Sequence, residues 1–181
     1  MRTVYSVFLG CALIMVTTAM PAMAIRYLTK EEALRVAIPD AQTIRAEPVE
    51  LTPAQRQRVH NKADHPLDSD TFVFHVGKRN DQIAGYAYIT DKKGRHRPIT
   101  FVVGLKPDCS VREVAIMIYR EPRGFEVKEK RFLRQYHNKT IQDPIEVNRD
   151  IKNISGATIS AHSVSAGVRE AVAICEEVFK P

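Results

Sequence analysis

The spacing of apolar residues changes along this chain, and each change marks a different element. Val4 to Val16 form an almost unbroken apolar run after Arg2, followed by Pro21 and Ala22-Met23-Ala24. Beyond that run the spacing becomes helical. Thr29-Lys30-Glu31-Glu32 ahead of Ala33-Leu34 reads as an N-cap with an acidic first turn, and Pro39 closes the helix. A second short helix is expected to start at Thr52-Pro53, with proline in the favoured first position, and to run through Val59. Asp64 to Asp70, with Pro66 and several turn formers, reads as a loop.

From Thr71 the period becomes two. Phe72, Phe74 and Val76 alternate with Val73 and His75, Lys78-Arg79-Asn80-Asp81 makes a turn, and Ile83 to Thr90 returns with Tyr86 and Tyr88 on one face. Pro98 to Leu105 predicts a third strand, Lys106-Pro107-Asp108 a turn, and Val111 to Tyr119 a fourth strand. Connections this short join antiparallel neighbours, so the pattern predicts a meander. His75 reads as a half-exposed sheet residue, since no nucleophile or carboxylate partner is visible for it.

Glu121-Pro122-Arg123-Gly124 is a turn, and a basic helix is expected around Lys128 to Tyr136. In the last element Val164, Val168, Ala171, Val172, Cys175, Val178 and Phe179 fall on one helical stripe, with Arg169, Glu170, Glu176 and Glu177 opposite. The fold class is α+β: an antiparallel meander of about four or more strands packed by helices, with residues 25–70 mainly helical.

Composition adds the compartment. A positive n-region, an apolar h-region and an A-x-A site make residues 1–24 a removable signal peptide. The apolar run is short of the roughly 20 residues a membrane span requires. Cys11 lies in the middle of that run, which excludes a lipoprotein reading. The localisation expected is periplasmic or extracytoplasmic. Removing 24 of 181 residues leaves 157, enough for one domain with its own core, and net charge falls from +6 only to +5 because Arg2 alone is lost. A basic exported surface suits acidic partners or a membrane face and not nucleic acid. Lys92, Lys93, Arg95 and Arg97 read as a solvated hairpin tip. Cys109 and Cys175 are permitted a disulfide by an oxidising compartment, but a single widely spaced pair does not decide it, and Cys175 on an apolar helix face reads as a buried thiol. No Cys-x-x-Cys-His occurs, and the six histidines lack the spacing of a metal site.

The chemistry concentrates at Ile154-Ser155-Gly156-Ala157-Thr158-Ile159-Ser160, a small-residue turn running into the last helix. Unpaired N–H groups and the positive end of the helix dipole favour a phosphate at such a start, and small residues let it approach the main chain. A hydrolase using Thr158 or Ser160 as nucleophile lacks any placed base.

Ser155-Gly156-Ala157-Thr158 followed by Ile159-Ser160 resembles the flavinylation motif of the FMN-binding domain found in flavin-bearing subunits of the Rnf complex and of the sodium-pumping NADH:quinone reductase. The strands between Ile99 and Tyr119, Glu121-Pro122-Arg123-Gly124, Phe132 to Tyr136, the motif and its helix follow the order of small exported members of that family, over roughly Thr71 to Phe179. The resemblance implies that a separate flavin transferase uses FAD to link FMN through its phosphate to the hydroxyl of Thr158. Gly156 and Ala157 would leave room for the phosphate, and Ser155 and Ser160 would either bond to its oxygens or cap the helix. Ile154 and the Glu121–Pro122 turn would offer surface to the isoalloxazine ring. The chain departs from the family at Lys152, three positions before Ser155, where an acidic residue is usual; Asp150 lies two residues further upstream.

The function implied is an exported electron carrier with covalent FMN, working between a membrane donor and an extracytoplasmic acceptor rather than converting a substrate. The alternative is a non-catalytic ligand-binding or assembly module of the same fold, holding FMN reversibly or not at all.

Overall fold

Alternation from Thr71 onward builds most of a six-stranded sheet in the computed structural model, which describes residues 24–67 and 69–180. The residues read as a signal peptide lie outside the described ones, Ala24 excepted. The strands are β1 (Ile25–Arg26), β2 (Thr43–Glu50), β3 (Thr71–Arg79), β4 (Gln82–Lys93), β5 (Pro98–Leu105) and β6 (Val111–Tyr119). They pair antiparallel throughout in the order β1-β6-β5-β4-β3-β2. The meander is therefore as expected, with one strand added at each edge. Asn80 and Asp81 close the β3–β4 hairpin, both with positive φ, as a two-residue turn matched to strand twist requires.

The two edge strands carry almost no periodic signal. β2 reads Thr-Ile-Arg-Ala-Glu-Pro-Val-Glu and buries only Val49, so it shows neither alternation nor an apolar run. Its Pro48 is tolerated because an edge strand has an unpaired side. Residues 25–70, expected to be mainly helical, thus contribute two strands as well as α1 (Lys30–Ala37) and α2 (Pro53–Ala63). Both helices start with the reciprocal capping box, Thr29 with Glu32 and Thr52 with Gln55. α2 runs one turn past Val59 because Asp64 supplies a left-handed C-cap.

Two layers cover the sheet. α1 seals one face over Ala87, Val102 and Met117. The other face carries Phe74, Tyr88, Val103 and Val114, aligned strand to strand, under α4 (Thr158–Val178). His75, expected half-exposed, is buried on the α1 side, and neither ring nitrogen makes a well-formed hydrogen bond among the described residues. Burial, with the charge of Lys30, pushes its pKa down. The basic helix expected over Lys128 to Tyr136 is broken into a 3₁₀ turn (Phe125–Lys128), the short α3 (Lys130–Leu133) and a second 3₁₀ turn (Arg134–Tyr136). Phe132, Leu133 and Tyr136 are nevertheless buried together.

α4 is covered on more than the predicted stripe, because α2 packs against it and Arg58 binds Glu177 with Nε at 3.1 Å. Glu170, read as part of the polar face, is only 1% exposed. Its carboxylate accepts from Tyr88 Oη at 3.0 Å and from Lys92 Nζ at 2.8 Å, and His65 Nε2 lies 3.8 Å away. Lys92 likewise leaves the solvated run to which the sequence assigned it. An aliphatic stem that carries its charged end inward is invisible to a charge count. Breaking a buried pair leaves the remaining charge desolvated, so Glu170→Ala is expected to cost about 3–5 kcal/mol in urea unfolding. A loss below ~1 kcal/mol would show that the pair does not anchor α4 to β4.

Cys109 and Cys175, both fully buried, are joined in a disulfide that ties the β5–β6 turn to the end of α4. This corrects the buried-thiol reading of Cys175. Left-handed backbone at Cys109 turns its side chain toward the helix.

Candidate functional site

The segment before α4 is held from below by a carboxylate. Asp150 accepts from the N–H of Glu146 at 2.7 Å and of Ile145 at 3.1 Å, and pairs with Lys139 Nζ at 2.8 Å. Burial opposes its charge, but Lys139 and these N–H groups hold its pKa below the usual range. Asp150 is therefore engaged in the loop itself. Gln135 then fixes Lys152 from both sides, accepting from its N–H at 2.7 Å and donating to its C=O at 3.2 Å. Asn153 Oδ1 takes the N–H of Ile154 at 2.8 Å while its amide donates to Thr158 Oγ1 at 3.1 Å.

The turn that follows gives each small residue a separate place. Gly156 has φ +84°, a backbone that other residues adopt only with strain, and a Cβ there would meet the Glu126 carboxylate at an ordinary contact distance of 3.8 Å. Ala157 is 2% exposed, packed inward at the base of the turn. Thr158 begins α4 with its side chain exposed. No side chain caps the helix, which rules out capping by Ser155 or Ser160. The first bond of the helix runs from Ala161 N–H to Ala157 C=O at 2.8 Å, leaving the N–H groups of Thr158, Ile159 and Ser160 outside the helical ladder. Ser160 is buried and shares a 2.9 Å hydrogen bond with Tyr119 Oη, which also donates to Arg123 C=O at 2.7 Å. Burial pushes the Tyr119 pKa up, so the phenol stays a donor.

Gly124 lets the Glu121–Gly124 turn rest on this motif. At φ +81° a Cβ there would stand 2.9 Å from Tyr119 Oη, 3.2 Å from Ser160 Oγ and 3.4 Å from Ala157 Cα. Gly124→Ala is accordingly expected to cost about 2 kcal/mol or more, through left-handed strain and overlap together. Unchanged thermal unfolding would mean that the turn does not press on the helix start.

These elements enclose a cleft of about 710 Å³, lined by Gly156 to Ser160 on one side, Glu121 to Gly124 on another, and Arg95 and His96 from the β4–β5 hairpin tip on the third. Glu121, Pro122, Gly156, Ala157, Thr158, Ile159 and Ser160, all singled out from the sequence, meet here. Ile154 and Ser155 instead line an adjacent groove of about 510 Å³ with Arg131, Phe132, Gln135, Lys152 and Asn153. Arg95, His96 and Arg123 are contributors that sequence reasoning missed. Only the charge run hinted at the first, and it was read as solvated loop. Glu121 explains why that tip is in place: its Oε1 accepts from the N–H of His96 at 2.5 Å and of Arg97 at 2.8 Å. Burial opposes its charge, yet those N–H groups and the nearby His96 keep its pKa below the usual range.

Among the described residues no three His, Cys, Asp or Glu side chains are grouped to hold a metal ion. No described helix is long and apolar enough to cross a membrane. No curated protein matches the chain. The sequence model of the FMN-binding domain matches residues 94–173, from the hairpin tip that lines the cleft to the last turns of α4. Through that segment the chain carries a domain of the FMN-binding family, and flavin binding is what this domain supports.

Proposed function

We propose that this protein is an exported electron carrier whose FMN is attached through its phosphate to Thr158. The observation that carries the reading is the exposed Thr158 hydroxyl on the wall of the cleft, at an α4 start that no side chain caps. The donor set fits a phosphate group: main-chain N–H groups of the first turn, the positive end of a 21-residue helix, and the cationic side chains of Arg95 and Arg123. Ile159, 48% exposed, offers apolar surface in the same cleft.

In the attachment step, the Thr158 oxygen forms a bond to the phosphorus of the FMN half of FAD. The bond from that phosphorus to the AMP oxygen breaks, AMP leaves, and the hydroxyl proton is released. A separate flavin transferase carries out this step, because among the described residues no base is placed against Thr158 Oγ1, whose one hydrogen bond comes from the Asn153 amide. Once bound, the flavin supplies reversible electron transfer. The chain's own residues hold the phosphate, keep the helix start open and leave one side of the cleft accessible. The basic surface suits an acidic redox partner or anionic lipid headgroups beside a membrane donor. Export follows from the signal-peptide pattern of residues 1–24, and the Cys109–Cys175 disulfide suits an oxidising compartment.

One observation favours the reversible alternative. Lys152 stands at the usually acidic position, and the nearby Asp150 is occupied by Lys139 and two N–H groups, so it is not free to take that place. Protein purified from an exporting host and run on a denaturing gel separates the two readings. Flavin fluorescence that migrates with the polypeptide supports covalent attachment; fluorescence that leaves on denaturation supports reversible binding.

A further inference from the structure

We propose that Arg95 and Arg123 recognise the phosphate of FMN across the cleft from Thr158, and that Glu121 is the positioning residue that holds Arg95 there. The inference rests on the flavin-site reading and adds the residues that select for the phosphate.

The two arginines reach the same cleft from different elements, the β4–β5 hairpin tip and the turn after β6. Both are exposed, and no ion pair involves either guanidinium among the described residues. A phosphate joined to Thr158 keeps one negative charge in a place where the helix supplies only main-chain donors on one side. Guanidinium groups opposite complete its coordination with charge-assisted hydrogen bonds. Among the described residues, the one carboxylate lining the cleft, Glu121, is occupied by the N–H groups of His96 and Arg97, so it organises the cationic wall. Gly94 sits tightly over the same carboxylate, since a Cβ there would lie 2.7 Å from Glu121 Oε1. The Glu126 carboxylate approaches Gly156, 3.8 Å from where a Cβ would stand.

The test uses full-length mature protein carrying Thr158→Ala, titrated with FMN and separately with riboflavin while flavin fluorescence is followed. FMN is expected to bind tighter than riboflavin by about tenfold or more, the range of one or two charge-assisted contacts. Adding Arg95→Ala with Arg123→Ala should bring FMN down to the riboflavin level and leave riboflavin unchanged. Glu121→Ala should lower the preference as well, and Glu121→Gln, whose amide oxygen still accepts both N–H groups, should restore it. A mere folding defect would weaken both ligands together. Equal binding of the two flavins, a preference that survives the double arginine change, equal loss of both ligands, or no binding of either overturns the proposal. Covalent attachment is read separately from the unsubstituted protein, so failure of one reading is distinguishable from failure of the other.

Discussion

Thr158→Ala is expected to give a folded protein from which all flavin is lost on denaturation, whereas the unsubstituted protein keeps it. The effect is all or none because a phosphoester needs an oxygen, and alanine has none. The fold should barely respond. Thr158 is exposed, occupies the first position of α4, and its hydroxyl makes one side-chain contact, with Asn153. The substitution removes one exposed hydrogen bond and no packed group, so the free energy of urea unfolding should change by no more than about 1 kcal/mol. Thr158→Ser, which keeps the hydroxyl, should retain flavin in part. Bound flavin that survives denaturation of the alanine variant would assign the attachment to another residue.

Replacing Cys109 and Cys175 together by alanine is expected to have the largest effect on stability. The bond closes a segment with a sequence separation of 66 residues and pins the end of α4 to the β5–β6 turn. In the chain-entropy account a loop of that size contributes about 4 kcal/mol, a large share of the total stability of an ordinary domain. Protein made in a reducing cytoplasm should show the same loss in the unsubstituted chain. Denaturant midpoints of oxidised, reduced and double-alanine protein check this. Coincident curves would show that the disulfide adds nothing to the packing around it.

How far the sequence was legible follows from which residues had periodic neighbours. Phe72 to Tyr119 announced four strands because short apolar runs, alternating in β3 and near-continuous in the doubly covered β5, are set off by turn formers, and the Asn80-Asp81 turn was readable for its tolerance of positive φ. β2 was hidden because an edge strand with one buried residue shows no alternation. Glu170 and Lys92 were misplaced for a related reason: each looks polar locally, and only the tertiary packing of α2, α4 and β4 shows that they satisfy one another in the interior. The cleft was legible in the Gly156–Ser160 motif and in Glu121 and Pro122 of the turn facing it. Its third wall was not, because Arg95 and His96 reach it only through the folding of a hairpin whose tip Glu121 clamps. Nor did the sequence separate the roles of Gly156, required for its backbone, and Ala157, which packs inward.

The central claim, that Thr158 carries FMN, is tested most directly by the mass of the proteolytic peptide containing Ile154 to Ser160, from protein purified out of an exporting host. The account predicts a peptide heavier by one FMN less one water, with fragmentation placing the added mass on Thr158. A peptide of unmodified mass, from protein made alongside an active flavin transferase, would contradict it.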